Sequence, residues 1–197
     1  MAHEYATLAA LRRRVGAETA DTSRDDDLTS ALAAATRGID MATGRRFWLD
    51  DTPTARVYRT AGRVVCEPDG DLLLVDDIGD VAGLVVETGS GSTWSPLTGY
   101  ETQPDNALAD GKPVTGLLRS GSWGFGTARV RVTARFGWPA IPDDIIEATL
   151  IQATRLYKRK DSPEGIIGSA EWGVRNLSRR DPDVWALIEP YILPGFG

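Results

Sequence analysis

The segment from Val130 to Lys160 constrains the fold of this chain most, because it changes from a strand pattern to a helix pattern within a few residues. Its first part alternates apolar and polar side chains, which predicts a strand with one buried and one solvent-facing side. Gly137-Trp138-Pro139 ends the alternation, and Pro142 suits the first turn of a helix. The segment therefore predicts a junction between a β-region and a helical region.

Two helices are predicted before this junction. The first runs from Ala6 to Val15, with Thr7 as its N-terminal cap and Gly16 at its end. The second runs from about Leu28 to Thr43 and ends at Gly44, and three aspartates just before it suit the positive end of its dipole. Its apolar face consists of residues spaced three or four apart: Leu28, Leu32, Ala35, Ile39 and Ala42.

Two more helices are predicted from the junction onwards. The third begins after Pro142, has Asp143 and Asp144 at its positive end, and runs to about Lys160. Its apolar face consists of Ile146, Leu150, Ala153 and Tyr157. A short last helix, Val184 to Glu189, follows the capping sequence Asp-Pro-Asp at 181–183.

The region from Asp50 to Gly137 has the pattern of a small antiparallel sheet or barrel. Turn signals recur there about every 8 to 12 residues. The predicted strands between them are Arg56–Thr60, Leu72–Val75, Leu84–Glu87, Thr115–Leu118 and Ala128–Arg135. The glycine-rich stretch Ser120–Gly126 is predicted to be a hairpin tip, because the order of its glycines does not fit a dinucleotide-binding loop.

These elements together predict an α+β fold. It is a small helical bundle, with three main helices and a short C-terminal helix, into which an antiparallel β-domain is inserted. The predicted boundaries place residues 1–49 and 138–163 in the helical body, 50–137 in the β-domain and 164–197 in a C-terminal extension.

The charge of the chain argues against tight duplex binding. Its net charge is −6, and the acidic residues are spread along all 197 residues without a polyacidic or polybasic block. A duplex-binding protein usually needs a basic face to neutralise phosphates. A mildly acidic surface instead lets DNA pass without adhering, because like charges repel.

Membrane insertion and disulfide formation are not expected. No apolar run approaches the roughly 20 residues needed to span a bilayer, and the N-terminus lacks a secretory leader pattern. The single cysteine, Cys66, excludes an intrachain disulfide and makes a cytoplasmic origin the default expectation. We interpret Cys66 as a buried strand cysteine.

Catalytic patterns are weak. His3 is the only histidine, so a histidine-based triad or metal site is not expected, and no cofactor motif occurs. One enzyme hypothesis remains open: Asp69 and Asp110 could hold Mg²⁺ beside Lys112 in a nuclease or DNA-processing enzyme. The acidic group Asp76, Asp77 and Asp80 could hold a hard cation, but we interpret it as a solvated strand end.

The end of the third helix and the extension beyond it offer candidate partner contacts. The basic set is Arg155, Lys158, Arg159 and Lys160, which is either a solvated helix end or a contact with an acidic partner. The extension contains Trp172, Trp185, Tyr191 and Phe196 among glycines and prolines. Such aromatic residues suggest docking onto another chain, although packing on the protein's own helices is the alternative.

Three segments resemble the head–tail connector, or head-completion adaptor, proteins of long-tailed phages. "ALAAATRGIDMATGRRF" is similar to the second helix of that family, which ends in T-G-R-R/K-F. "VRVTARFGWPAIPDDIIEATLIQATRLYKRKDSP" resembles its strand, G-W/Y-P turn and following helix. "SRRDPDVWALIEPY" is similar to the C-terminal segment of the branch from actinobacterial phages.

This resemblance implies a structural protein of the virion neck that is made in the host cytoplasm. It implies a homo-oligomeric ring, a dodecamer, which lies beneath the portal, extends the DNA channel without sequence-specific contacts, and gives stopper or tail-completion proteins a docking surface. The C-terminal extension would reach the portal protein and order there. The contacts implied in it are Trp172, Arg175, Arg179, Arg180, Trp185 and Tyr191. No cofactor is implied.

A third hypothesis is a β-module on a virion surface that binds a sugar or a protein. The tryptophans and glycines of the β-region favour it. Such a module would not need amphipathic helices on both sides of it.

Overall fold

The computed structural model describes residues 3–17, 22–124, 128–159, 166–167, 175–176 and 181–193. In this part of the chain the fold is α+β, with four α-helices, an antiparallel sheet of seven strands and a separate two-stranded pair. The chain divides into two compact units: Met1–Arg45 with Ile141–Gly197, here called the helical unit, and Arg46–Ala140, here called the β-unit. The predicted three-part division of the chain stays a prediction.

The helices of the helical unit match the predicted elements closely. They are α1 Leu8–Val15, α2 Asp25–Thr43, α3 Asp143–Arg159 and α4 Pro182–Ile188, which continues into a 3-10 turn, Glu189–Tyr191. None of the described helices is long and apolar enough to cross a membrane. The two predicted features of α1 are confirmed: the Thr7 hydroxyl accepts a hydrogen bond from the Ala10 N–H, and Gly16 adopts the left-handed conformation with φ 71°.

The beginning of α2 and the end of its apolar face differ from the prediction. The helix begins at Asp25 instead of Leu28, so the three aspartates occupy its first turn, where they face the positive end of the dipole. Ala42, predicted to face the core, is exposed, whereas Thr43 is buried. Thr43 can be buried because its hydroxyl donates a 2.8 Å hydrogen bond to the Ile39 carbonyl.

Three helices share the hydrophobic core of the helical unit. Its buried members are Ala6, Leu11, Leu28, Ala31, Leu32, Ala35, Leu150, Ala153 and Tyr157. The members from α2 and α3 confirm most of the predicted apolar faces. Helices α2 and α3, which the β-unit separates in sequence, therefore contribute to one core.

The β-unit contains more strands than the sequence predicted. They are β1 Thr54–Arg59, β2 Val64–Glu67, β3 Gly70–Ser90, β4 Thr93–Pro96, β5 Glu101–Gln103, β6 Val114–Arg119 and β7 Arg129–Phe136. A separate pair consists of β8 Ile166–Ile167 and β9 Arg175–Asn176. The prediction was wrong in treating Leu72–Val75 and Leu84–Glu87 as two strands, since both belong to β3, and it missed β2, β4 and β5.

The long strand β3 organises the β-unit. Its first residues pair with β2 and β6, and its last residues pair with β4 and β7. Ile78 pairs with Val114 of β6 and with Phe136 of β7, and the register shifts on either side of it, as at β-bulges. The first half-sheet is thus β2, β5, β6 and the start of β3, and the second half-sheet is β1, β4, β7 and the end of β3.

Both half-sheets bury one side in the same hydrophobic core. The first contributes Leu73 and Leu117, and the second contributes Val86 and Val132, each at most 2% exposed. The predicted alternation of β7 is confirmed, because Val130, Val132, Ala134 and Phe136 are all buried. Because both half-sheets face one core, their other sides point away from each other.

The segment after β6 is not a hairpin tip. Strands β6 and β7 both pair with β3, and not with each other, in the described part of the sheet. Trp123 is 2% exposed, and its indole N–H donates a 2.7 Å hydrogen bond to the Asp71 carbonyl. The tryptophan therefore covers one end of the core, and residues 125–127 lie outside the described part.

The chain enters and leaves the β-unit at the same place. The Asp50 N–H donates to the Phe136 carbonyl at 2.8 Å, and the Arg135 side chain donates to the Asp50 carbonyl at 2.8 Å. The rings of Phe47 and Trp138 lie 5.2 Å apart. This closeness lets a β-unit interrupt the helical sequence between α2 and α3.

Replacing Gly137 by alanine is expected to destabilise the protein by more than about 2 kcal/mol. Gly137 has φ 116°, and an added Cβ would lie 1.9 Å from the Trp48 carbonyl oxygen. The matched control is Gly62→Ala, where φ is 77° but no atom lies within 4 Å of the added Cβ. Chemical denaturation measures both variants; equal losses of unfolding free energy would contradict the close approach of Gly137 to Trp48.

Candidate partner-binding surface

The structure places part of the predicted contact set at the end of α3 and on α4. Lys158 and Arg159 are exposed, whereas Arg155, Trp185 and Tyr191 are half-buried. Four predicted contacts lie outside the described residues: Lys160, Trp172, Arg179 and Arg180. Arg175 is described only through its backbone, which pairs in β9.

Arg155 holds the start of α4 against α3. Its guanidinium lies 3.0 Å from an Asp181 carboxylate oxygen, and both side chains are about one-fifth exposed, at 21% and 18%. The other Asp181 oxygen accepts hydrogen bonds from the Asp183 and Val184 N–H groups, so it caps α4. The Asp181 carboxylate therefore caps the N-terminus of α4 and also forms the ion pair that joins α4 to α3.

The last residue of the 3-10 turn, Tyr191, is bound near the beginning of α3. The Tyr191 hydroxyl donates a 3.0 Å hydrogen bond to Asp144, and the Arg45 side chain donates to the Tyr191 carbonyl at 2.7 Å. The Leu193 N–H donates to the Thr43 carbonyl at 2.9 Å. Because Asp181 contacts the late part of α3 and Tyr191 contacts its beginning, α4 runs antiparallel to α3.

Residues 181–193 thus pack on the protein's own helices. Val184 and Ile188 are buried, at 8% and 3% exposure, which provides apolar contact along the segment. Of the two alternatives for the C-terminal aromatic residues, intrachain packing describes Tyr191. The Tyr191 hydroxyl is already used in a hydrogen bond within the chain. The sequence indicated the cap at Asp181, but nothing in it indicated Arg45, Asp144 or Arg155 as the groups that hold this segment.

Among the described residues at the end of α3, the exposed charge is small and positive. Asp181 offsets Arg155, so the basic groups still directed to solvent at the end of α3 are Lys158 and Arg159. The macrodipole of α3 places its negative end there, which favours these two cations.

The residues of the nuclease hypothesis lie in loops. Asp69 is exposed in the turn between β2 and β3, and Asp110 and Lys112 are exposed between β5 and β6. Within residues 3–17, 22–124, 128–159 and 181–193, no group of three or more His, Cys, Asp or Glu side chains is placed to hold a metal ion.

The acidic group in β3 is not a solvated strand end. Asp76 accepts a hydrogen bond from Arg56 at 2.7 Å, Asp77 accepts one from the Trp138 indole at 3.0 Å, and Asp80 pairs with Arg135 at 2.9 Å. All three carboxylates are half-buried and bind donors from other elements. Their role is to hold the bend of β3, and the sequence did not show it because the donors are distant in the chain.

Cys66 lies in a strand as predicted, but it is exposed and not buried. Strand β2 is at the edge of the first half-sheet, which leaves this side chain accessible. A hydrogen bond to Asp71, together with the negative charge of that carboxylate, raises the pKa of the Cys66 thiol above its ordinary value. The thiol is therefore less readily ionised than a free cysteine.

Removing the Asp181 carboxylate is expected to loosen α4. Asp181→Ala removes both the cap and the ion pair, at a local cost of about 1–2 kcal/mol. Asp181→Asn keeps an oxygen that can cap the helix but removes the charge, so its effect is expected to be smaller. Hydrogen exchange of the Val184–Ile188 amides measures both variants. Equal exchange in Asp181→Ala and the wild-type chain would contradict this anchoring role.

Tyr191 is expected to titrate far above an ordinary tyrosine. Burial, then the hydrogen bond to Asp144 and the negative charges of Asp144 and Asp143, raise the pKa of Tyr191 to about 12. Because the pKa in the folded state exceeds the ordinary value of about 10, this contribution to stability is complete below pH 10 and decreases as the pH rises from 10 to 12. Absorbance at 295 nm follows the ionisation, and Tyr191→Phe should remove a step near pH 12.

The control for this titration is Asp144→Asn, which removes a negative charge and keeps an acceptor for the hydroxyl. The step should then move to a lower pH. A Tyr191 step near pH 10 in the wild-type chain would show that the hydroxyl is not held as described.

Comparison with known proteins shows where this fold occurs. No family model matches the chain, and no curated protein matches it. Among solved structures, the chain is similar to one in "Neck of empty GTA particle computed with C6 symmetry", with a TM-score of 0.55 and 17% sequence identity over 96% of this chain and 91% of that chain. It is similar to one in "Virion of native gene transfer agent (GTA) particle", with a TM-score of 0.53, 17% identity and the same coverage. The chain therefore shares its fold, over nearly its whole length, with chains of virion structures, one of them a neck.

Proposed function

We propose that this chain is a structural subunit of the neck of a phage-like particle, where it acts as the adaptor between head and tail. The observation that carries the proposal is the fold shared over 96% of the chain with a chain of a gene transfer agent neck. The resemblance of three segments to head–tail connector proteins supports the same role through residues alone. Its narrower placement in the branch from actinobacterial phages stays part of the proposal.

In this role the chain forms a homo-oligomeric ring beneath the portal. The resemblance implies twelve copies, and a twelvefold ring is compatible with the sixfold symmetry applied to the similar neck. The net charge of −6 suits a ring that extends the DNA channel, because a mildly acidic wall lets DNA pass without adhering. The subunit is made in the host cytoplasm, acts in the virion neck and uses no cofactor.

The ring has two neighbours along the particle axis. The portal protein is the partner of the C-terminal part of the chain, and a stopper or tail-completion protein binds the opposite side. Lys158 and Arg159 at the end of α3 provide the portal contact in the described part of the chain, together with Trp185 on α4. The remaining proposed contacts are Lys160, Trp172, Arg175, Arg179 and Arg180. Arg155 and Tyr191 contribute by holding α4 in place.

Reversing one charge at the end of α3 tests this contact. Arg159→Glu is expected to weaken binding to the portal complex of the same particle by about tenfold or more, because it places like charges at the interface. Lys112→Glu changes the net charge equally on an exposed loop of the β-unit and is expected to leave binding unchanged. Biolayer interferometry with immobilised portal complex measures both variants. A wild-type chain that does not bind the portal would contradict the proposed function.

A further inference from the structure

The outer side of the first half-sheet carries an apolar surface, here called the leucine face. Its side chains alternate along each strand with those that fill the core of the β-unit. The aliphatic members are Val65 on β2, Leu72 and Leu74 on β3, and Leu118 on β6. Val65 is 45% exposed and the three leucines are half-buried, on a sheet side that usually carries polar residues. Such a group of aliphatic side chains indicates a surface that a partner covers.

Three of these side chains form a row across neighbouring strands. Val65 lies opposite Leu72, and Leu72 lies opposite Leu118. Neighbouring strands lie about 4.8 Å apart, which is close to the roughly 5–6 Å between side chains three or four positions apart on a helix. Beside the row, Gly116 has no side chain and Leu72 leans over it, since a Cβ added at Gly116 would lie 2.6 Å from the Leu72 Cδ1 atom. The row therefore matches the apolar stripe of one helix in spacing, and the surface beside it is low.

The charges beside the leucine face are negative. Glu101 of β5 lies opposite Leu118 and extends the row, and Glu67 lies on the same side of β2. Both glutamates are exposed, and neither forms an ion pair with another described residue. The guanidinium of Arg63, just before β2, is directed to the Asp76 carboxylate at 3.7 Å. A partner for this face therefore needs positive charge next to an apolar stripe.

A helix from a different protein fits this surface better than a second copy does. The described helices of this chain already bury their apolar sides: α1, α2 and α3 share the core of the helical unit, and α4 buries Val184 and Ile188. DNA does not fit, because its phosphates would meet the carboxylates of Glu67 and Glu101. The chemistry of the face thus specifies an amphipathic protein helix with Lys or Arg beside its apolar stripe.

We propose that the leucine face binds a basic amphipathic helix of the stopper or tail-completion protein, here called the tail-side protein. The apolar stripe of that helix packs on Val65, Leu72 and Leu118, and its cations pair with Glu67 and Glu101. This inference rests on the proposed function in taking the tail-side protein as the source of the helix. It assigns that partner a surface on the β-unit, formed by residues other than those proposed to contact the portal.

Charge reversal tests the ionic part of this contact. Glu67→Lys with Glu101→Lys is expected to weaken binding of the purified tail-side protein by about tenfold or more, because like charges then meet. The matched control is Asp51→Lys with Glu189→Lys, which makes the same charge change at exposed positions outside the seven-stranded sheet and should leave binding unchanged. Biolayer interferometry measures both double variants, and thermal unfolding verifies that each is folded.

The apolar part of the contact has its own pair of variants. Val65→Ser is expected to weaken binding of the tail-side protein by about fivefold, because it removes apolar area from the contact. Val57→Ser makes the same change on β1 of the second half-sheet, where the valine is 54% exposed, and should leave binding unchanged. Equal losses in the two variants would contradict a contact on the leucine face.

Methyl NMR locates the contact without any substitution. When the tail-side protein is added, the methyl signals of Val65, Leu72, Leu74 and Leu118 should shift. The methyl signals of Val57 and Val85, which are exposed on the second half-sheet, should stay in place. A synthetic helical peptide of leucine and lysine should shift the same four residues, whereas the matching peptide of leucine and glutamate should not.

Three results would overturn the inference: a tail-side protein that does not bind the wild-type chain, one that binds the charge-reversal variant as tightly as the wild type, or methyl shifts confined to the second half-sheet. Portal binding separates this inference from the proposed function. If the chain binds the portal and one of these results is obtained, the inference is refuted and the adaptor role stands. If the leucine-lysine peptide shifts the leucine face in a chain that does not bind the portal, the chemistry of the face is supported and the adaptor role is refuted.

Discussion

The β-unit depends on the bend in β3, because that strand pairs with four others and joins two half-sheets around one core. The bend in β3 is what lets both halves of this strand face the same core. Register shifts around Ile78 turn it, and each carboxylate at the bend is bound by a donor from elsewhere: Asp76 by Arg56, Asp77 by Trp138 and Asp80 by Arg135. The bend gives the unit two outer faces that point in opposite directions.

In the helical unit, α3 likewise contacts several other elements. This helix packs on α1 and α2 through its apolar face, and its two ends hold α4 and the following turn through Arg155 and Asp144. Because α2 and α3 are separated in sequence by the whole β-unit, their packing depends on the chain returning to its starting point. The hydrogen bond between Asp50 and Phe136 and the close approach of Gly137 to Trp48 provide that return. Gly137 and Trp138 of the Gly-Trp-Pro junction thus have a structural role.

Local features of the sequence predicted the helices well. Caps such as Thr7, Gly16 and Asp181 act within a few residues, so their effect can be derived from the sequence alone. The course of β3 could not be predicted in the same way, because its aspartates and glycines are typical of turns. The donors that bind these aspartates, Arg56, Trp138 and Arg135, are distant in the chain. Cys66 was expected to be buried because free cysteines usually are, and its exposure was not foreseen because the edge strand β2 was not among the predicted strands. The contacts that hold α4 were missed because Arg155 and Asp181 are close only after folding.

We propose for this chain the role of a ring-forming subunit of a virion neck. Cryo-electron microscopy of the intact particle that contains the chain tests it most directly. If the proposed role is right, the images will show a ring of this fold at the narrow end of the portal, with the end of α3 facing the portal. Particles whose neck lacks density for this chain, or in which it occurs as a separate copy away from the DNA channel, would contradict this role.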